Sequence, residues 1–271
     1  MVYDKAYIGT MSTEKKSKIN YLLNTHPKGT VLLSSWLLEQ GYSHDLQKRY
    51  KKSGWFESIG TGALIRSGEQ VDYLGGVYAL QSQLGLSVHP AGKTALSLLG
   101  KTHYLEFMTK KALLFGGSGE KLPSWFKGYL WDVEVDYQMA GFLPKALGLT
   151  TLELNHFSIK ISGEARAVME CLYRSPEKQS LEEIYEIMEG LNMLRPDQVQ
   201  KLLEQCRSVK VKRLFLYMAE KIGHDWFDYL DLNKVDLGKG KRSLVKQGTY
   251  VDKYQITVPK ILEKSRHEST I

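Results

Sequence analysis

The basic side chains between Ser43 and Phe56 are the residues best suited to chemistry with a ligand. Within this run, Leu46 and Tyr50 stand four positions apart and share one face of a helix. The opposite face carries polar and basic side chains, namely His44, Gln47, Lys48, Lys51 and Lys52. A DNA major groove accepts one α-helix, and glutamine and lysine offer donors to bases and phosphates. The spacing therefore predicts a helix anchored on one side and facing a polyanion on the other.

The elements around this helix must hold it in place. The helix is predicted to end at Gly54, and two short apolar strands at 55–59 and 63–66 flank Gly60-Thr61-Gly62, which is a hairpin signal. Upstream, the pattern predicts a helix over 14–25, a short strand over 30–33 and a second helix that Ser34 caps and Gly41 closes; downstream, a helix runs from Asp72 to about 83. This order is typical of a winged helix-turn-helix.

Each part of the predicted unit receives a role. Leu46, Tyr50 and Trp55 are expected to anchor the basic helix, and Trp36, Leu37 and Leu38 to face inward from the second helix. Ser34 and Ser35 begin that helix, where backbone N–H groups and hydroxyls suit a phosphate oxygen. Thr61 at the hairpin tip is expected along the DNA backbone. Arg66 is a further phosphate partner.

The pattern changes after residue 87. We predict an α+β protein with a DNA-binding domain over 1–87 and a larger domain over 88–271. The larger domain is expected to be mixed over 88–162, with a small, mostly antiparallel sheet, and a helical bundle over 163–230. Its last part, 231–271, is a basic tail with a strand returning to the sheet. The predicted strands are 103–107, 112–115, 130–135, 152–161 and 251–258, and the predicted helices are 93–99, 164–174, 181–190, 196–206 and 209–222.

Three carboxylates raise the question of a metal site. Asp132, Glu134 and Asp136 alternate along a predicted strand and therefore point to the same side. Such a set can bind Mg²⁺ in a nuclease, which is one alternative function. The pattern favours a solvent-facing strand edge instead, because no converging lysine or further carboxylates accompany it.

Two glycine-bearing segments resemble phosphate loops only in part. Residues 115–121 lack the spacer of a P-loop, which favours a mobile surface loop. Gly92-Lys93-Thr94 lacks the full spacing too, and the segment 89–100 is interpreted as a structural joint, with a phosphate-binding helix start as the alternative. The seven histidines form no metal-binding pair, and Trp226 with Phe227 and Tyr229 suggests packing. We therefore expect no enzyme, no cofactor and no metal.

Composition bounds the remaining possibilities. The 271 residues carry a net charge of +7 and a pI of about 9.1, which is compatible with a nucleic-acid partner. Two cysteines without metal-ligand spacing, and no long apolar run, predict a reduced cytoplasmic protein without a membrane segment. Further basic residues are expected to extend the positive surface, namely Lys210, Lys212, Arg213, Lys239, Lys241, Arg242 and Lys246; the alternative is that they form solvated faces.

Three segments carry a family resemblance. Residues 50–63, 76–86 and 88–100 resemble the N-terminal domain of AbiEi-family antitoxins, and the likeness is strong over about 15–105 and architectural beyond. The resemblance implies a winged-helix domain followed by an antitoxin domain of a bacterial type IV toxin–antitoxin system. It also implies repression of the protein's own operon through inverted repeats in double-stranded DNA. A nucleotidyltransferase-class toxin is the implied second partner, in a system that acts in abortive phage defence.

The resemblance also assigns residue roles. DNA reading falls to His44, Gln47, Lys48 and Lys51, and the wing role to Thr61. Whether antitoxicity needs direct contact with the toxin stays open. A second reading also stays open, because winged helices serve as protein-binding modules that do not touch DNA.

Overall fold

The computed structural model describes residues 11–101 and 111–263, so the predicted strand at 103–107 and the polar start of the chain lie outside the described residues. The protein is a mixed α+β fold. Its N-terminal elements follow the predicted order. They are α1 (Met11–Thr25), β1 (Leu32–Leu33), α2 (Ser34–Glu39), α3 (His44–Lys52), β2 (Phe56–Gly60), β3 (Ala63–Arg66) and α4 (Tyr73–Ser82).

Local signals explain where α3 and the hairpin form. The Ser43 hydroxyl accepts a hydrogen bond from the Leu46 N–H, which caps α3 as predicted. Strands β2 and β3 pair antiparallel, and β1 adds to β3 to complete a three-stranded sheet. Gly62 at the turn has a φ of +76°, a conformation that side chains disfavour. The predicted basic helix and hairpin are therefore both present.

A small core supports α3. Leu46 and Tyr50 are buried in it as predicted, and the Tyr50 and Phe56 rings meet edge to face at 6.0 Å. The prediction that Trp55 anchors α3 is wrong, because its side chain is 44% exposed, whereas Phe56 is 2% exposed. Leu38 on α2 is likewise exposed, so only Leu37 of that helix is fully buried. Phe56, the first residue of β2, points inward, whereas Trp55 precedes the strand and stays outside.

The middle of the chain builds two further small sheets. Its elements are β4 (His89–Pro90), α5 (Gly92–Leu98), β5 (Lys111–Gly116), α6 (Ser124–Gly128), β6 (Glu134–Met139), β7 (Leu149–Glu153) and β8 (Ser158–Ser162). Strands run in the order β4-β5-β6, with β5 and β6 parallel, while β7 and β8 form a separate antiparallel hairpin. The prediction of one small sheet is therefore wrong, because this region forms two. Two of its three strand pairings are antiparallel, and β5–β6 is parallel.

The C-terminal part is the predicted helical bundle followed by a small sheet of its own. The helices are α7 (Glu164–Arg174), α8 (Leu181–Glu189), α9 (Pro196–Gln205) and α10 (Val209–Ile222), then β9 (Arg242–Ser243), β10 (Gly248–Val251), β11 (Ile256–Pro259) and α11 (Lys260–Glu263). The predicted strand at 251–258 is wrong, because a turn at 252–255 splits it. Strands β10 and β11 pair with each other, and β9 joins β11, so these three strands form a separate sheet and do not return to that of β4, β5 and β6.

Apolar packing joins the N-terminal elements to the middle of the chain. One core cluster contains Val31 and Ile65 from the N-terminal elements together with Leu114 and Ile161 from the middle of the chain. At a second contact, Gly60 packs so closely on Trp125 of α6 that an added Cβ would lie 2.9 Å from the tryptophan Cβ. The hairpin therefore rests on the rest of the protein.

Glu170 on α7 forms hydrogen bonds with the segment 89–100, which was predicted to be a structural joint. Its carboxylate accepts hydrogen bonds from the Ser162 hydroxyl at 2.6 Å, Arg166 Nε at 2.8 Å and the Gly92 N–H at 3.1 Å, and it lies 3.2 Å from His89 Nε2. Burial opposes the charge, but His89, Arg166 and Ser162 hold the pKa of Glu170 below its usual value. One ionised side chain thus fixes the start of α5 against α7.

Candidate nucleic-acid interface

The outward face of α3 presents four cationic or titratable side chains. His44, Lys48, Lys51 and Lys52 are all exposed, as predicted. Arg49 is exposed as well, and only Asp45 offsets this charge within the helix. The sequence analysis did not select Arg49, although a helix turns 100° per residue and carries it away from the buried Tyr50.

A cleft of about 260 Å³ separates α3 from the hairpin. Its walls carry His44, Lys48 and Lys51 on one side and Ser58 and Gly62 on the other. Ser58 was missed at the sequence level, although its place on the exposed stretch of β2 was a usable signal. The cleft brings ammonium groups and a hydroxyl together, which is the chemistry that binds phosphate oxygens.

Gln47 does not belong to the outward face. It is 4% exposed, and its side-chain amide donates to the Ser34 carbonyl at 3.2 Å and the Tyr42 carbonyl at 2.8 Å. The Ser34 hydroxyl donates to Gln47 Oε1 at 2.6 Å. The expectation that Gln47 reads a base is therefore wrong. Its amide instead fixes the angle between α2 and α3.

Ser34 lines the cleft with Gln47, but it does not offer the free donors that were predicted for a phosphate. Its hydroxyl is engaged by Gln47, and its N–H donates to the Gly62 carbonyl at 2.8 Å. Ser34 is also the first residue of α2 and makes no cap; the cap position is Leu33, which makes no side-chain cap hydrogen bond. Ser35, by contrast, is exposed, and so is Thr61 at the hairpin tip. These two residues keep their predicted accessibility.

Arg66 is buried and does not reach the surface. Its guanidinium donates to the His26 carbonyl and lies 3.5 Å from the Glu69 carboxylate. Burial first, and then the charge of Arg66, lower the pKa of His26 to about 4. The predicted phosphate contact of Arg66 is therefore wrong, and the residue instead stabilises the loop that follows α1.

The C-terminal basic residues divide into a buried and an exposed group. Lys212 and Arg213 lie inside α10, at 4% and 2% exposure, and the Lys210 ammonium donates to the Tyr173 and Ser175 carbonyls. Burial lowers the pKa of Lys210. The surface role predicted for these three is wrong. The other four are exposed, namely Lys239, Lys241, Arg242 and Lys246.

Arg213 organises the loop that carries the exposed group. Its guanidinium donates to the carbonyls of Leu237 at 2.8 Å, Gly240 at 2.7 Å, Gly238 at 3.1 Å and Gln255 at 3.2 Å. These bonds hold the backbone of the loop in place, while the side chains of Lys239 and Lys241 are exposed. Among them, the Lys241 ammonium lies over the Tyr250 ring at 4.9 Å.

The predicted acidic edge is confirmed as solvent-facing. Asp132, Glu134 and Asp136 are all exposed, although β6 begins only at Glu134. Lys111 lies 3.0 Å from Glu134, and Arg174 pairs with Asp136. Within the described ranges, no cluster of histidine, cysteine, aspartate or glutamate is arranged to hold a metal ion.

Neither glycine-bearing segment forms a phosphate loop, because the glycine N–H groups at 117 and 92 are bonded within the protein. The Gly117 N–H donates to the Glu120 carboxylate, which also accepts from Ser87 and Lys145. Burial would raise the pKa of Glu120, but these bonds lower it. At the start of α5, the Gly92 N–H is held by Glu170, Lys93 pairs with Glu183, and the Thr94 hydroxyl accepts from the Leu113 N–H. The phosphate alternative for Gly92-Lys93-Thr94 is wrong.

Three other expectations concern packing and membrane contact. Trp226 is buried and donates to the Leu191 carbonyl, as expected of a packing residue. Cys171 and Cys206 are buried free thiols, and burial raises the pKa of Cys171 to about 12. In the described part of the chain, no helix combines the length and apolar character needed to cross a bilayer.

Comparison with known proteins identifies the chain by its two halves. Residues 109–259 match the family described as "Transcriptional regulator, AbiEi antitoxin, Type IV TA system". Residues 15–107 match "Transcriptional regulator, AbiEi antitoxin N-terminal domain". The fold is similar to the crystal structure of the RV2827C protein from Mycobacterium tuberculosis, with a TM-score of 0.57 and 14% identity over 92% of each chain. No curated protein gives a significant match.

Proposed function

Because the chain belongs to the AbiEi family of antitoxins, transcriptional regulators of type IV toxin–antitoxin systems, we propose that it represses its own operon by binding double-stranded DNA through α3 and the hairpin. In this proposal the N-terminal elements form a winged helix-turn-helix over 1–87 and the remainder, 88–271, carries antitoxicity. The protein acts in the cytoplasm without catalysis, and its toxin is of the nucleotidyltransferase class.

One observation carries the DNA-binding proposal. The cleft between α3 and the hairpin is lined by His44, Lys48 and Lys51, and α3 is held in place by the buried Gln47. A preorganised cationic helix face loses little side-chain and backbone freedom when it enters a groove. Lys48, Lys51 and Lys52 contact phosphates or guanine acceptors, and His44 reads the groove from the first turn of the helix.

The remaining exposed residues extend this surface. Ser35 and Thr61 contact the sugar-phosphate backbone beside the groove. Lys239, Lys241, Arg242 and Lys246 add a second basic region, which the Arg213 hydrogen bonds hold in one conformation. Occupancy of inverted repeats by two copies then blocks transcription. Neutralisation of the toxin is a separate activity of the C-terminal part and is compatible with this surface being bound to DNA.

Binding to the protein's own promoter tests the proposal. Fluorescence anisotropy with a labelled promoter fragment should give a dissociation constant that rises steeply with salt, because lysines release counterions from phosphates. Lys48→Ala and Lys51→Ala should each weaken binding about tenfold. For a phosphate contact, the slope of log K against log salt should fall by about 0.9. Lys178→Ala, which removes an exposed lysine elsewhere, is the matched control.

Two results would contradict the proposal. Unchanged affinity in both lysine variants would remove α3 from the interface. A protein that binds its toxin tightly and salt-resistantly, while leaving the promoter unprotected in footprinting, would instead be a protein-binding module.

A further inference from the structure

A groove of about 960 Å³ lies between α6, the segment 129–133 and β6, and it shares no lining residue with the cleft beside α3. Aromatic rings form much of its lining. The Phe126 and Trp131 rings are 4.9 Å apart, and the Tyr129 and Trp131 rings are 4.7 Å apart. The Trp131 indole N–H donates to the Phe126 carbonyl at 2.8 Å, which fixes the plane of the ring. The groove therefore presents a preformed aromatic wall.

Apolar side chains at the rim remain exposed to water. Leu130 is 94% exposed and Met139 is 43% exposed. Tyr137 is held by a hydrogen bond from its hydroxyl to the Glu120 carbonyl at 2.6 Å, so it cannot turn to cover them. An exposed apolar surface around a concave site marks a place where another molecule binds.

Charged side chains of both signs line the same groove. Lys111 is engaged by Glu134 at 3.0 Å. Lys121, Lys127 and Asp132 also line the groove and are exposed, and none of them has an ion-pair partner among residues 11–101 and 111–263. Two ammonium groups and one carboxylate are thus available to a ligand beside the aromatic wall.

We propose that this groove binds a free nucleoside phosphate. A base stacks on one of the Tyr129 and Trp131 rings, since every base offers a π-face to an aromatic side chain. It meets the other ring edge to face, because the two rings stand at 68° to each other. Lys121 and Lys127 bind the phosphates, and the Asp132 carboxylate accepts a hydrogen bond from a ribose hydroxyl. A nucleic-acid strand fits less well, because one carboxylate for two free lysines leaves little net positive charge to follow a polyanion.

Isothermal titration of the full chain tests this site. ATP, GTP, CTP and UTP are titrated separately, with adenosine, inorganic phosphate and a thymidine decanucleotide as comparison ligands. At least one nucleotide should bind with a stoichiometry of one, and adenosine and phosphate should each bind at least tenfold more weakly. Absence of saturable binding by all four nucleotides overturns the proposal. Tighter binding of the decanucleotide than of any mononucleotide overturns it in favour of single-stranded nucleic acid.

Variants locate the binding. The Lys121→Ala/Lys127→Ala double variant and Tyr129→Leu should each raise the nucleotide dissociation constant at least tenfold. Trp131→Leu should do the same, provided that circular dichroism shows a folded chain. Trp55→Leu and the Lys48→Ala/Lys51→Ala double variant should bind nucleotide as the wild type does, which separates this groove from the α3 surface. Loss of binding in these controls, or unchanged binding in the groove variants, overturns the assignment.

Discussion

Two basic segments look alike in the sequence and lie in opposite environments. Lys48-Arg49-Tyr50-Lys51-Lys52 on α3 presents every cation to solvent, whereas Lys210-Val211-Lys212-Arg213 on α10 has its cations half-buried or buried. The difference follows from the residues beyond each run. Tyr50 and Leu46 give α3 one apolar stripe, while 214–219 is apolar on all sides of α10 and buries the helix. Charge density alone therefore does not identify a surface.

Substitution in the buried basic segment of α10 should have the largest effect on stability. Replacing Arg213 with Met removes the donors from four carbonyls, which are left without partners inside the protein. We expect the free energy of unfolding to fall by about 3 kcal/mol or more, measured by urea denaturation. The exposed Arg242→Met variant is the control and should change it by less than about 0.5 kcal/mol. Equal losses of stability in Arg213→Met and Arg242→Met would contradict the difference between buried and exposed basic residues.

Replacing Gln47 should give the next largest loss of stability. It also tests whether Gln47 positions α3 or contacts DNA directly. Gln47→Met should lower the free energy of unfolding by about 2 kcal/mol, because the Ser34 hydroxyl and the Tyr42 carbonyl lose buried partners. Promoter affinity should also fall, with the salt slope unchanged, since no phosphate contact is removed. A smaller slope of log K against log salt in anisotropy titrations would mean that Gln47 contacts DNA.

His26 provides a third effect, which depends on pH. Its pKa is about 4 in the folded protein and near 6.5 when unfolded, so its contribution is complete above pH 6.5. As the pH falls from 6.5 towards 4, the unfolded chain takes up the proton first. Urea denaturation should therefore show the wild type losing about 1 kcal/mol per pH unit relative to His26→Gln. A parallel series with the exposed His44→Gln should track the wild type.

The smallest effect is expected on the exposed side. Lys48→Ala and Lys51→Ala should each change the free energy of unfolding by less than about 0.5 kcal/mol, because both side chains are exposed and neither has an ion-pair partner among the described residues. The same denaturation experiment measures this. A loss near that of Arg213→Met would mean that the two segments do not differ in the way described.

Local patterns were sufficient for much of the fold. The Ser43 cap, the Leu46 and Tyr50 stripe and the glycine turn at 60–62 act within a few residues, so α3 and the hairpin were predictable. The four helices from α7 to α10 were predictable from their periodicity. The pairing of β5 with β6 and the separate C-terminal sheet were not, because strand partners depend on contacts between distant segments.

The candidate site was predicted only in part for a related reason. Lys48 and Lys51 follow from the helical period, but the inward position of Gln47 depends on where α2 crosses α3. Arg66 ends a strand whose residues are all buried, and a single sequence does not show that His26 and Glu69 meet it there. The mispredicted residues have polar side chains that are stable either in solvent or buried with internal hydrogen bonds.

Because the hairpin packs tightly on Trp125, the protein cannot be divided into fragments without exposing apolar surface. A fragment ending at residue 87 would leave Trp125 behind, together with Leu114 and Ile161, and would expose the apolar faces that they cover. Such a fragment is expected to be less stable than the full chain. Experiments that transfer the outer side chains of α3 should therefore place them on an intact relative.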